Sequence, residues 1–384
     1  MARHLFSIIL LAIIVSVSIA PVHGAATVTP SAFPSQEHAR FVGSVTCQSS
    51  MCHGGASPSR DQFTIWSHND LHSRAYASLV SAYGVNMARA LHIESPTTDV
   101  TCVRCHAPLA MPGTDIAPTA DATEGVTCEA CHNGAAAWLR GHTRPDWTYA
   151  DRVHAGMADM RNALVRANTC VECHQAIDPK LVAAGHPWLT FELDGQAASE
   201  PRHWMEKSTW FGAKAWLVGQ AVALRDVSEQ IRKESATPAT AADQKALLWL
   251  LQQVPSLNGG NSPADHPDAV AAWSNETAKK ISDTPWNAGR SGLILAALAG
   301  TSDSFRDAAV SPSDQAARAT RLVLALDRLF KATHPKPATA DAPLPPGEPE
   351  LSALFDEVQD AKAFDSGKFS SDLRKFADVI APKK

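Results

Sequence analysis

Three short stretches decide how this chain is read: Thr101-Cys102-Val103-Arg104-Cys105-His106, Val126-Thr127-Cys128-Glu129-Ala130-Cys131-His132 and Thr169-Cys170-Val171-Glu172-Cys173-His174. Each places two cysteines three residues apart and a histidine directly after the second. Two thiols at that spacing reach both vinyl groups of one haem from a single turn of chain, and the histidine then lies under the iron. A fourth stretch, Cys47-Gln48-Ser49-Ser50-Met51-Cys52-His53, has the same ends around a four-residue spacer, which can bulge while both sulfurs still meet the ring. With these four motifs all 8 cysteines of the 384-residue chain have a use.

The sequence therefore predicts four covalent haem c groups. Cys47, Cys52, Cys102, Cys105, Cys128, Cys131, Cys170 and Cys173 are the attachment residues, and His53, His106, His132 and His174 are the proximal iron ligands. Structural zinc and a redox dithiol are the competing uses of paired cysteines. Zinc gives no reason for a histidine after every second cysteine, and a redox dithiol gives none for four copies in one region.

Each iron has a second face. Ten further histidines lie beyond the N-terminal 24 residues: His38, His68, His72, His92, His142, His154, His186, His203, His266 and His334. Six of them fall between the first motif and the helical half, so bis-histidine ligation of most haems is available. Four haems attached within residues 47–174 leave too little polypeptide to isolate them, which favours electron hopping from one to the next. The haems would also supply much of the apolar core, and little regular sheet is expected.

Outward from the motifs, residues 1–24 read as a cleaved secretory signal, with Arg3 and His4, an apolar run Leu5 to Ala20, and a small-residue exit before Ala25. That reading predicts a periplasmic or otherwise exported protein with no transmembrane span in the mature chain. Residues 25–41 form a tail and 42–193 the tetrahaem cytochrome c domain. Beyond a boundary near 194–206 no cysteine appears, and the composition turns to Ala, Leu and Trp at helical spacing. Residues 206–334 are expected to be a helical domain, 335–349 a stiff linker with six prolines, and 350–384 a C-terminal helical segment. The fold class is mainly α. Four helices are expected in 206–334: one through Leu217, Ala221, Leu224 and Ile231, then Ala241 to Val254, Trp286 to Leu298, and one capped by Ser311 with Pro312 in its first turn.

Hydrophobic residues make up 45% and charged residues 19% of the chain, as in globular proteins. The formal net charge of -5 offers no basic footprint, so nucleic acid is excluded as a partner.

The residues Trp66 with His72-Ser73-Arg74-Ala75, Cys102 to His106, and Gly125 to His132 followed by Arg140-Gly141-His142 resemble the tetrahaem cytochrome c-554 family. The likeness covers roughly residues 43–174. Ala183-Ala184-Gly185-His186-Pro187, Phe191-Glu192-Leu193 and His203-Trp204 look like larger multihaem relatives, which often carry another attachment motif downstream. The resemblance implies that His142 caps the first haem, His72 the third, and His186 the fourth, and that the iron above His106 stays open. His68, four residues before His72 and on the same face of a continuous helix, is a rival to it. His92 and His154 are the candidates to close the second site. Trp138, Trp147 and Trp188 can line electron paths or pack against haem faces.

The expected function is electron transfer between a donor and an acceptor protein. A reductase of small nitrogen or sulfur oxides at an open second haem is the alternative, and a subunit that wires haems within a larger assembly is a third. No catalytic constellation is visible in the sequence.

Overall fold

A computed structural model describes residues 39–381, except 176, 195–199, 207, 209, 235, 256, 258–262, 264–265 and 335–342. The expected signal segment, most of the tail and the first part of the proline-rich linker lie outside the described residues.

The protein is mainly α-helical. Among the described residues, strand pairing is confined to a parallel bridge between Phe41 and Ile116. The haem-motif region is built from short helices: α1 (Gln62–Asn69), α2 (Ala75–Val80), α3 (Ala82–Ala90), α4 (Val100–His106), α5 (Cys128–His132), α6 (Tyr149–His154), α7 (Ala163–His174) and α8 (Pro179–Ala183). Side-chain caps start several of them: Asp99 accepts from the Thr101 amide at α4, and Asn162 from Leu164 and Val165 at α7. Helices α4, α5 and α7 each end on a motif histidine, so cysteines and histidine share one or two turns.

The second half forms longer helices: α9 (Phe211–Glu234), α10 (Pro238–Gln252), α11 (Pro267–Asp283), α12 (Ala288–Ala299), α13 (Pro312–Thr333), α14 (Glu348–Val358) and α15 (Ser366–Ile380). Pro238 opens α10, three residues before the expected start at Ala241, behind a Thr237–Thr240 capping box. The Ser311 cap lies where the sequence puts it, and α12 ends one residue beyond the expected Leu298, with Gly300 as its cap. Helix α11 was not expected. Its buried face carries Ser274 and Thr277 among Val270, Ala278 and Ile281, and the two hydroxyls blur the apolar period.

One apolar core runs through these long helices, around Trp216, Leu224, Leu250, Leu298, Phe330 and Phe376. It also takes in Ala163, Ala167 and Val171 of α7, and Phe191 and Leu193. The fourth motif is thus fastened to the helical half by its own helix. Polar bonds reinforce the joint. Arg225 donates to Asn168 at 2.9 Å and Gln230 to the Ile177 carbonyl at 3.0 Å. Arg321, buried in α13, holds Asp243 through bonds of 2.7 to 2.9 Å and donates to the Phe191 carbonyl at 2.8 Å.

Candidate functional site

The first motif is a loop, as its long spacer requires. Its chain folds back so that the Cys52 amide donates to the Ser49 carbonyl at 2.8 Å and the His53 amide to the Cys47 carbonyl at 3.2 Å. The return is so tight that a Cβ on Gly54 would come within 1.8 Å of the Gln48 oxygen. Glu129, inside the third motif, fixes where this loop lies. Its buried carboxylate accepts the backbone N–H groups of Val42, Gly43 and Ala135 at 2.6 to 3.1 Å. Burial pushes its carboxyl above the usual range, and those three donors offset part of that rise.

The cysteines also meet across motifs. The Cys47 thiol interacts with that of Cys128, and the Cys105 thiol with that of Cys173. Burial and the nearby Cys170 raise the Cys131 thiol, and burial pushes Cys170 itself up to about 12. All eight cysteines are free of disulfides. A redox dithiol would pair its two thiols within one motif, and a zinc site would gather several sulfurs. Among the described residues, the one group of three possible metal-ligand atoms within 4.8 Å of one another is Asp70, His72 and Glu200, which contains no cysteine.

Three of the four proximal histidines face another histidine. The ring centres of His53 and His142 are 6.1 Å apart with planes nearly parallel at 9°; those of His106 and His186 are 6.3 Å apart at 74°; those of His72 and His174 are 5.9 Å apart at 79°. Two imidazoles bound to one iron have centres about 6.2 Å apart, from two bonds of about 2.0 Å and roughly 1.1 Å from each Nε2 to its ring centre. The observed spacings therefore fit an iron between each pair.

The other ring nitrogens support the same use. Nδ1 of His53 donates to the Gln62 amide oxygen at 2.9 Å, and that of His106 to Ser78 Oγ at 2.8 Å and the Ala75 carbonyl at 3.1 Å. Nδ1 of His142 donates to the Leu139 carbonyl and that of His186 to the Pro187 carbonyl. A carbonyl oxygen only accepts, so the proton sits on Nδ1 and the Nε2 lone pair is left for a metal. Burial lowers the pKa of both His132 and His174 to about 4, which keeps them neutral at physiological pH, the form that binds iron.

The ring pairs differ from the pairing implied by the resemblance. His142 does face His53. His72, by contrast, faces His174 of the fourth motif instead of His132 of the third, and His186 faces His106, the iron expected to be open. The reasons are local. Helix α1 ends at Asn69 and His72 lies in a separate 3-10 turn, Leu71–Arg74, whose backbone is clamped to the third motif by the Val126 amide on the His72 carbonyl at 2.9 Å. The backbone thus touches motif three while the ring reaches α7. A Cβ on Gly125 would sit 2.6 Å from that carbonyl, so only glycine allows the clamp. His186 follows Gly185, whose left-handed backbone (φ 111°) closes α8, and the Tyr83 hydroxyl on the Gly185 carbonyl ties this loop to α3.

His68 is exposed and bonded to its own helix through the Thr64 carbonyl, so the shared face expected from their spacing does not form. His92 and His154 are exposed at helix ends and are not among these ring pairs. Trp138 meets His142 edge-on at 5.4 Å between ring centres, and Trp147 packs against Gly141 next to it.

His132 is faced by no ring at this spacing among the described residues. After burial, His203 and then His53 have the largest electrostatic influence on it. His203 is itself removed from water, with an Nδ1 that finds no hydrogen-bond partner. The sequence drew notice to His203 only as part of His203-Trp204. It gave no role to Asp70, Glu129 or Glu200, although Asp70 lies two residues before His72 and Glu129 lies inside an attachment motif.

Attachment motifs, paired imidazoles and a helical scaffold with almost no sheet define a c-type cytochrome that carries electrons on covalently bound haem c. Residues 46–133 match the family model described as cytochrome c554 and c-prime. The match spans the first three motifs; the fourth, His142, His186 and the long helices lie beyond it. No curated protein and no solved structure matches the chain. No helix among the described residues is long and apolar enough to cross a membrane.

Proposed function

We propose that the protein is an exported tetrahaem cytochrome that relays electrons between a donor and an acceptor protein along haems in the order first, third, fourth, second. The observation that carries this reading is the set of three histidine pairs at 5.9 to 6.3 Å, each joining a motif histidine to one outside the motifs. The order rests on the cysteines: Cys47 beside Cys128 links motifs one and three, Cys131 near Cys170 links three and four, and Cys173 beside Cys105 links four and two. Haems held at neighbouring sulfurs have neighbouring edges, which is what rapid electron hopping needs.

The eight cysteines named above hold the haems. His53 with His142, His106 with His186, and His174 with His72 bind three irons, and His132 with His203 is our assignment for the third haem. Haem would supply a one-electron couple; His142, His186 and His72, opposite His53, His106 and His174, would hold the irons and leave no place for substrate there. His186 opposite His106 favours a carrier over a reductase, because the iron that would bind a small oxide has its second face covered.

Intact mass of acid-denatured protein tests the count, and a redox titration followed optically tests the ligation. Four haems with low midpoints are expected, since imidazole on both faces gives a lower potential than imidazole with thioether. Three haems, or sustained turnover of nitrite, hydroxylamine or nitric oxide abolished by His106→Ala, would overturn the reading.

A further inference from the structure

Among the ligand histidines, His72 differs in what holds its second nitrogen. His53, His106, His142 and His186 lean on neutral oxygens. His72 Nδ1 lies 3.0 Å from Asp70 Oδ1, and the same oxygen accepts the His72 backbone amide at 2.9 Å. The Asp70 side chain is only 4% exposed, and a second carboxylate, Glu200, comes within 4.0 Å of the same nitrogen.

This geometry rests on His72 being the sixth ligand of the fourth haem, as proposed above. A full negative charge on Nδ1–H gives the imidazole part of the character of imidazolate, a stronger donor to iron. Ferric iron gains more from a stronger donor than ferrous iron does. We propose that Asp70 sets the potential of the fourth haem, holding it below the haems whose ligands rest on neutral acceptors.

Asp70 accepts both the ring N–H and the backbone N–H of His72, two donors that favour its carboxylate form. A metal ion shared by Asp70, His72 and Glu200 is a weaker use of the same atoms, because it would take the Nδ1 proton that the 3.0 Å contact needs. In the relay order the fourth haem lies inside the chain of haems. Its low potential keeps electrons at the two ends, where partners collect them, and makes the fourth haem a step that electrons cross without resting.

The test is Asp70→Asn. Asparagine keeps an oxygen that caps the 3-10 turn and accepts from Nδ1, and removes only the charge. The variant should carry four haems by mass, with one midpoint raised by about 59 mV or more, a tenfold change in that haem's one-electron equilibrium. The shifted haem should be the one whose low-spin signal is lost in His72→Ala, and its electron paramagnetic resonance line should move while the other three stay. Asp70→Ser, another neutral cap, is the second variant and should shift the same haem the same way. A four-haem protein of either kind with all midpoints at wild-type values overturns the proposal. If His72→Ala removes no low-spin signal, the ligand assignment has failed instead.

Discussion

The haem-motif region and the long-helix region reach a folded state by different means. Between residues 39 and 154, many of the buried apolar side chains are small, Ala88, Ala107, Ala130 and Ala135 among them, and the apolar cluster on α4 is built on Leu79, Val103 and Ala107. From α7 onward a continuous core of Leu, Val, Phe and Trp links helices of up to 24 residues. A region with so little apolar burial cannot offset its own chain entropy. Haem would add to its thin apolar core, whereas the long helices supply their own.

The largest expected effect separates the two outright. With all eight cysteines changed to serine, hydrogen exchange should show residues 39–154 with almost no protection, while α7 and α9 to α15 keep theirs. Native-like protection in 39–154 without haem would break the comparison.

Next in size is the loss of one ligand within the haem region. His203→Ala should convert one of four low-spin haems to high-spin and leave the melting of the long helices unchanged. Four low-spin haems in that variant would remove His203 from the ligand set. The converse is Arg321→Ala, which strands Asp243 in the long-helix region. Breaking such a buried pair costs about 3–5 kcal/mol. Denaturant unfolding should register that loss with haem spectra intact, and a shift in any haem midpoint would mean the regions are more tightly coupled than their cores suggest.

A smaller effect is expected at Glu129→Gln, where an amide N–H₂ must face a backbone N–H that a carboxylate oxygen now accepts. The cost should be about 1–3 kcal/mol for one unmet buried donor. It should appear as looser protection around Val42 and Gly43, with all haems retained.

The same contrast explains what the sequence made legible. Cysteine and histidine spacing is dictated by covalent chemistry on one haem, so the attachment residues could be read from four short stretches. Helix caps such as Ser311 and apolar periods such as Leu322 to Leu329 are equally local, and α13 could be read from them. Distal ligands are long-range. Whether His72 serves the third or the fourth haem depends on Gly125 letting the backbone clamp to Val126 while the ring turns to α7, and no spacing rule contains that. His203 was obscured for the same reason, being 71 residues from the histidine it neighbours. Asp70 and Glu129 look like ordinary surface acids until the fold buries them.

The central claim is that histidine fills both faces of every haem. Electron paramagnetic resonance of the fully oxidised protein at low temperature tests it most directly. Crossed imidazole planes act equally on the two iron orbitals they overlap and leave them close in energy, whereas parallel planes split them. The account predicts low-spin iron only, with a rhombic signal from the parallel His53–His142 pair and broad, large-g signals from the crossed His106–His186 and His72–His174 pairs. A high-spin ferric signal amounting to one haem in four would contradict it.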